Sequence, residues 1–259
     1  MARKFRHGEP DENFIHDERS VDFLNLGIDV SYVSLFKSLS KRFETMRRFL
    51  APSKGRLNER WVENALVLRA LPPAPARVLD LGGATSPMPL TLAMLGYPTT
   101  IVDLRPSSFR HPNLSTIVGD VRTVRGLQPP YDVVYAISVI EHAGLARYGE
   151  PEKASESGEL VRRMAELAAP GALLLITVPF GEAHVPKIGD RSTETGKPTG
   201  FKVFDRAMLT DLTRGLSVEE LSTFGLKDGL WLSLPPEEVE KIPLRHYATG
   251  VAFLRLRKP

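Results

Sequence analysis

Residues 77–87 read RVLDLGGATSP, and this stretch decides the fold class of the chain. A short apolar run ends in the acid Asp80, two glycines follow at once, and a helix is predicted to begin near Ser86 and Pro87. At the carboxyl end of a first parallel strand, glycines let the backbone approach a ligand closely, and the next helix offers unpaired N–H groups. The order of strand, glycine turn and helix is typical of an α/β domain that binds a nucleotide-like cofactor.

Two further acids end later apolar runs, at a spacing that suits the same edge of a sheet. Asp103 closes the run 99–103, and Asp120 closes the run 115–120. A carboxylate at the tip of a second strand, about 20 residues past the glycine turn, can accept hydrogen bonds from ribose hydroxyls. Three successive strand tips are therefore predicted to carry acids around a ribose-bearing cofactor.

This ordered series, over residues 76–180, resembles the class I methyltransferases that use S-adenosylmethionine. The family's first motif reads acid-x-Gly-x-Gly, which Asp80 and Gly82 match. In the family the second acid holds the ribose and the third lies beside the adenine, and these positions correspond to Asp103 and Asp120. The cofactor-binding residues that the resemblance implies are Asp80, Gly82, Gly83, Ala84, Asp103, Leu104, Asp120, Val121 and Ser138.

The later part of the series also agrees with the family, with one departure in the first motif. A fourth strand at 131–138 and a fifth at 169–179 follow in order, and a Pro-Gly turn typical of the family enters the fifth. The family's second and third glycines are replaced by Ala84 and Ser86. Alanine still permits close approach, and Thr85 or Ser86 can cap the helix. We therefore expect the cofactor-facing turn to be retained.

The resemblance implies an α/β fold of the doubly wound, Rossmann-like type: a mostly parallel seven-stranded sheet with an antiparallel strand, plus an N-terminal helical extension. Residues 1–75 are assigned to the extension, which is expected to form a lid, and residues 76–259 to the S-adenosylmethionine-binding domain. Within the extension, apolar residues recur at helical spacing through 31–50, and the other face of that predicted helix is basic. A second helix, over 58–71, is expected to pack on the sheet.

The composition narrows the function classes. With 259 residues, of which 42% are hydrophobic, the chain can bury a substantial core. It has no cysteine, which excludes disulfides, thiolate zinc sites and a cysteine nucleophile. The net charge of +3 is weak evidence for nucleic-acid binding. No apolar run approaches the roughly 20 residues that span a bilayer, and the charged N-terminus lacks a signal-peptide core, so we expect a cytoplasmic protein without a membrane partner.

The acceptor side of the site is expected just beyond the fourth strand. Methyl transfer from a sulfonium is a one-step displacement, so the protein mainly has to align an acceptor lone pair and exclude water. A hydroxyl or a protonated amine must also lose a proton, and histidine, which titrates near 6.5, suits that task. His142 is therefore the candidate base, and Glu141 the candidate anchor for a cationic or hydroxyl-bearing acceptor. His184, within the polar loop 181–200, is the second candidate base.

The stretch 141–148, EHAGLARY, is similar to a Glu-His-x-Gly-x-x-Arg-Tyr run of cyclopropane fatty-acid synthases and several small-molecule methyltransferases. The other pocket motifs of the synthases are missing, so their reaction is not expected here. The structural alternative for Glu141 and His142 is that they cap the following helix or form hydrogen bonds with neighbouring loops. His142, His184 and Asp190 offer nitrogen and oxygen ligands, but their spacing is not diagnostic and no metal is expected.

The leading hypothesis is an S-adenosylmethionine-dependent N- or O-methyltransferase that acts on a polar small molecule, such as an amino sugar or other glycoside of secondary metabolism or antibiotic biosynthesis. A nucleic-acid methyltransferase is one alternative, which the basic face at 31–50 favours. The missing Asn/Asp-Pro-Pro-aromatic motif after the fourth strand speaks against it. A non-catalytic domain that binds the cofactor or a partner protein is the other alternative, and the near-intact motifs disfavour it. A homodimer is left open.

Overall fold

The computed structural model describes residues 58–145, 156–187 and 197–259. The helix predicted over 31–50 lies outside these residues. The strands are β1 (Val78–Leu81), β2 (Thr99–Asp103), β3 (Leu114–Val118), β4 (Tyr131–Ile137), β5 (Ala168–Pro179), β6 (Ser217–Lys227), β7 (Leu230–Ser233) and β8 (Gly250–Arg257). The helices are α1 (Glu59–Ala70), α2 (Met88–Met94), α3 (Glu156–Leu167), α4 (Arg206–Leu212) and α5 (Pro236–Val239), with one 3₁₀ turn at Ile140–His142.

The eight strands form one sheet in the order β3-β2-β1-β4-β5-β8-β6-β7. The first five in this order are parallel to one another, and β8 is antiparallel to both β5 and β6. The strand order reverses beside β1, since β2 and β3 lie on one side of it and β4 and β5 on the other. The predicted doubly wound, mostly parallel sheet is confirmed, and in sheets of this type ligands bind in the crevice at the carboxyl ends of the strands where the order reverses, which here are β1 and β4.

The sheet has one strand more than the seven predicted. This strand, β7, pairs antiparallel with the end of β6 through a tight turn at Asp228 and Gly229. Both turn residues have positive φ, 51° and 81°. Positive φ at both central positions and an Asp-Gly pair are the marks of a two-residue hairpin turn. The extra strand lies at the end of the sheet remote from β1.

The core has two layers because β4 presents alternate residues to opposite faces of the sheet. Val133 and Tyr135 pack in a cluster with Leu66 and Val67 of α1. Val134 and Ala136 belong to the cluster that includes α3. The expectation that a helix over 58–71 packs on the sheet is confirmed. Each fully buried aliphatic side chain of these clusters contributes roughly 1.5–3 kcal/mol to stability.

The helices of the described residues include none that is long and apolar enough to cross a membrane.

Candidate active site

The turn after β1 contains two glycines, Gly82 and Gly83, at positions where neighbouring side chains leave no room for a Cβ atom. Gly82 has a φ of 78°, and its N–H donates to the carbonyl of Val102 over 2.8 Å. A Cβ at Gly83 would lie 1.9 Å from Oδ2 of Asp80. The backbone therefore passes directly over the Asp80 carboxyl group, and no side chain larger than hydrogen fits at Gly83.

Replacing Gly83 by alanine is expected to destabilise the protein by about 1–3 kcal/mol, because the new methyl group must displace the Asp80 carboxyl. Urea denaturation would measure this change. The matched control is Gly158→Ala in α3, where an added Cβ meets no atom within 4 Å. That helical substitution is expected to be neutral or stabilising. Equal denaturation midpoints for wild type and Gly83→Ala would contradict the packing argument.

Asp80 is almost fully buried, at 2% exposure, and its Oδ2 accepts a hydrogen bond of 2.7 Å from the hydroxyl of Tyr135. Burial raises the pKa of Asp80 to about 7, and the nearby charge of Asp103 acts in the same direction. Burial thus favours the protonated form of this first acid more than it would be favoured in an exposed aspartate.

Asp103 joins the tip of β2 to the glycine turn. Its Oδ2 accepts the N–H of Ala84 at 3.0 Å, and its Oδ1 accepts the N–H of Arg105 at 2.9 Å. The side chain of Leu104, beside it, is 49% exposed at the same edge. Oγ of Ser86 accepts the N–H of Met88, the first residue of α2, at 3.2 Å, although the N-cap position of this helix is Pro87, which makes no side-chain cap. The first two acids and the glycine turn therefore form one connected structure at the crevice.

Asp120 follows β3, as predicted, but its carboxylate is already engaged. It accepts hydrogen bonds from the backbone N–H and the Nε of Arg122, both at 2.9 Å. The guanidinium of Arg122 also lies 2.9 Å from Glu156 of α3, and it holds the pKa of Asp120 below its usual range. Val121 is buried beside this pair. The third acid is therefore fixed by a local ion pair.

The turn after β4, which carries the predicted Ser138, is connected to α1 by two side chains that sequence reasoning missed, Arg60 and Glu63. Ser138 has an unusual positive φ of 47°, and its hydroxyl donates to Oε1 of Glu63 over 2.6 Å. Arg60 donates from Nη1 to Oε2 of Glu63 at 3.1 Å and to the carbonyl of Ile137 at 3.0 Å. Glu63 is fully buried. The sequence did indicate that Glu63 is buried, because it shares a helix face with the apolar residues three, four and seven positions later.

Glu141 lies in the 3₁₀ turn beyond β4 and is 2% exposed. Its Oε2 has no hydrogen-bond partner in the part of the chain that the structure describes. Burial raises the pKa of Glu141 to about 8, against the opposing charge of Arg60. The predicted acceptor anchor is thus a buried carboxyl group with an unused oxygen.

His142 has a defined ring orientation. Its Nδ1 lies 2.7 Å from the carbonyl oxygen of Gly200, which can only accept, so Nδ1 carries the hydrogen. In the neutral ring the lone pair is therefore on Nε2, and this atom lies 3.8 Å from Oε1 of Glu141. The structure thus places the two predicted acceptor-side residues together, with the basic nitrogen of one beside the carboxyl of the other.

His184, the other candidate base, is held within its own loop. Its Nε2 lies 2.8 Å from the carbonyl oxygen of Pro198, and its backbone pairs with Val203. Asp190, considered above as a metal ligand, lies outside the described residues.

Residues 200–202, which we call the clamp segment, hold the 3₁₀ turn in place. Besides the contact from Gly200 to His142, the N–H of Lys202 donates to the carbonyl of Glu141 at 3.0 Å. The buried Nζ of Lys202 donates to the carbonyl of Ala143 at 2.8 Å and to Oγ of Ser157 at 3.0 Å. Burial lowers the pKa of Lys202. Sequence reasoning missed this lysine because only the tertiary fold brings it to the turn.

The comparisons with known proteins agree with this geometry. Residues 44–215 match the model of a family described as a methyltransferase domain. Because the match spans more than half of the chain, the protein belongs to this methyltransferase family, and its cofactor is S-adenosylmethionine. No curated protein matches the sequence.

Three solved structures illustrate the shared fold. One is 1,6-didemethyltoxoflavin-N1-methyltransferase from Burkholderia thailandensis with 1,6-didemethyltoxoflavin and S-adenosylhomocysteine bound; the identity is 15%, the match covers 88% of this chain and 89% of that one, and the TM-score is 0.56. The second is coclaurine N-methyltransferase, bound to N-methylheliamine and S-adenosylhomocysteine; the identity is 16%, the match covers 77% of this chain and 72% of that one, and the TM-score is 0.54. The third is the [4+2]-cyclase SpnF; the identity is 14%, the match covers 77% of this chain and 81% of that one, and the TM-score is 0.53. At these identities the likeness shows the fold.

Proposed function

We propose that this methyltransferase transfers a methyl group to a nitrogen or oxygen atom of a polar small molecule, of the kind represented by amino sugars and other glycosides of secondary metabolism. The observation that carries the proposal is the adjacent pair beyond β4. The buried Glu141 has an unused oxygen, and His142 has its Nε2 lone pair beside it. Two of the structures of similar fold described above are N-methyltransferases.

The residues at the carboxyl ends of β1, β2 and β3 fit the cofactor. In the proposed arrangement the Asp103 carboxylate binds the ribose hydroxyls, and the turn 82–84 with Asp80 accommodates the amino-acid end. Leu104 lies against the adenine together with the segment Asp120–Val121, and Ser138 lies at the end nearest the acceptor. Bound there, S-adenosylmethionine supplies an electrophilic methyl group on a sulfonium sulfur. The glycines and the buried carboxylate of Asp103 support this assignment.

On the acceptor side, Glu141 positions the acceptor and His142 removes its proton. The hydrogen bond from Nδ1 to Gly200 fixes the ring, so Nε2 receives the proton that the acceptor must lose. The clamp segment keeps the 3₁₀ turn, and with it both side chains, in one orientation. His184 is the alternative base in this proposal, because it belongs to the loop that leads into the clamp segment.

Replacing Glu141 by glutamine is expected to raise the apparent binding constant of the acceptor by about tenfold or more, because a charge-assisted hydrogen bond is lost while the shape is kept. Cofactor affinity is expected to stay near that of wild type. Steady-state kinetics and calorimetry would separate the two effects. Glu166→Gln is the control, since Glu166 is exposed and pairs only locally with Arg163. If Glu141→Gln lost cofactor affinity while the apparent binding constant of the acceptor stayed unchanged, Glu141 would not be the acceptor anchor.

The proposed function is tested directly with S-adenosylmethionine labelled in its methyl group. The protein is incubated with a metabolite extract, and the label is followed into small molecules, nucleic acid and protein. Label in a polar small molecule, dependent on His142, is the expected result. Label found only in nucleic acid or in protein would overturn the proposal.

A further inference from the structure

Among the described residues, the groups around Glu141 include more carboxyl groups than arginine or lysine side chains. The buried Glu63 and Glu141 and the half-buried Glu59 all interact electrostatically with the guanidinium of Arg60. Both oxygens of Glu63 have partners, namely Ser138 and Arg60. The unpartnered oxygen of the group is Oε2 of Glu141. Arg60 thus forms an ion pair with Glu63, whereas Glu141 makes no ion pair with an arginine or lysine in the described part of the chain, and Nε2 of His142 lies 3.8 Å from it.

An excess of buried carboxyl groups is unfavourable when they are ionised, because each charge loses its hydration. The structure relieves this cost with a proton, since burial raises the pKa of Glu141 to about 8 and also raises the pKa of Glu59. A cation delivered by a ligand would serve the same purpose. It would take the place of the proton, which passes to solvent, and leave Glu141 ionised.

We propose that Glu141, Glu63 and Arg60 form a binding site for an ammonium group, so that the acceptor of this methyltransferase is an amine. This inference rests on the proposed function and narrows it from nitrogen or oxygen to nitrogen. Glu141 contacts the ammonium group. Glu63 is a positioning residue, because it holds Arg60 and prevents that guanidinium from pairing with Glu141. The first helix of the described fold thereby helps to select the substrate.

The proton balance of the reaction follows from this arrangement. The ammonium nitrogen first loses one proton to Nε2 of His142 and becomes a neutral amine. Its lone pair then forms the N–C bond to the methyl group while the C–S bonding pair passes to sulfur, which becomes neutral. The methylated nitrogen carries the positive charge, and Glu141 faces that charge again. No oxidant, reductant or further reactant is needed.

The experiment uses the full chain and the simplest matched probes, propylammonium chloride and propan-1-ol. Infrared difference spectra at pH 7 identify the protonated carboxyl band of Glu141 by its loss in Glu141→Gln. Propylammonium is expected to remove this band, because Glu141 ionises when the ammonium group binds, and the loss should saturate with propylammonium concentration. Propan-1-ol is expected to leave the band unchanged. If propylammonium has no effect, or the alcohol has the same effect, the ammonium site is wrong.

Two substitutions on α1 should change the pH at which Glu141 ionises in opposite directions. In Glu63→Gln, Arg60 becomes free to pair with Glu141, so the carboxyl should ionise at lower pH and propylammonium should bind about 10- to 100-fold more weakly. In Arg60→Gln the opposing charge is removed, so ionisation should move to higher pH. Among the described residues, the charged or titratable groups that act on Glu141 in this titration are Arg60 and Glu63 from α1 and His142 from its own turn. Shifts in the same direction, or equal shifts in the exposed control Glu166→Gln, would overturn the role of Glu63.

The labelled-methyl experiment distinguishes failure of this inference from failure of the proposed function. Label on the oxygen of a neutral small molecule would overturn the amine inference and leave the proposed function intact. Label confined to nucleic acid or protein would overturn the proposed function itself. Label on an amine nitrogen supports both.

Discussion

Substitution of His142 by alanine should slow the chemical step by about 100-fold or more while cofactor affinity stays close to that of wild type. The reason is geometric. The ring is fixed through Nδ1 by Gly200, and Nε2 lies beside Glu141, on the acceptor side of β4. Removal of the ring therefore takes away the proposed base and leaves the residues at β1 and β2 in place.

Single-turnover kinetics with preformed cofactor complex would measure the effect on chemistry, and calorimetry would measure cofactor binding. The control is His246→Ala, since His246 is exposed and its ring packs against Tyr247. Full turnover of His142→Ala across pH 6 to 9 would show that solvent or another group takes the proton. His184 would then be the next residue to replace.

Replacement of Asp103 by alanine is expected to weaken S-adenosylmethionine binding by about 1.5–3 kcal/mol, because a charged hydrogen-bond partner of the ribose is lost. The carboxylate also accepts the N–H of Ala84, so its loss loosens the glycine turn as well. Calorimetric titration of the cofactor gives the affinity directly.

Asp211→Ala is the matched control for this variant. Asp211 is 75% exposed in its side chain and pairs with Arg214 in the turn just after α4, so its loss should leave cofactor binding unchanged. An Asp103→Ala variant that binds the cofactor as tightly as wild type would contradict the ribose assignment.

The part of the fold that the sequence predicts best is the part in which local and tertiary preferences agree. The run 99–103 is β2 to the residue, and the runs predicted at 131–138 and 169–179 correspond to β4 and β5. These strands are buried apolar runs bounded by turn residues, so their pattern does not depend on distant contacts. β7 was missed although Asp228 and Gly229 mark its hairpin, because the strand has only four residues and is largely exposed.

The positions of candidate site residues could be predicted where they follow the ends of strands. Contacts between residues that only the folded chain brings together could not be predicted. Asp103 and Glu141 could be placed because the carboxyl ends of parallel strands meet at one edge. The ion pair of Asp120 with Arg122 could not, since it depends on the shape of the turn after β3. The contribution of α1 through Glu63 also depends on how a helix lies across the sheet.

The clamp segment fixes the 3₁₀ turn largely through the backbone. It hydrogen-bonds to three consecutive residues, 141–143, and each bond uses a backbone group on at least one side. The orientation of the proposed base, His142, therefore depends on the course of the chain between Gly200 and Lys202. An insertion or deletion there would move the carbonyl of Gly200 away from Nδ1 of His142 and release the ring, although no side chain of the candidate site had changed.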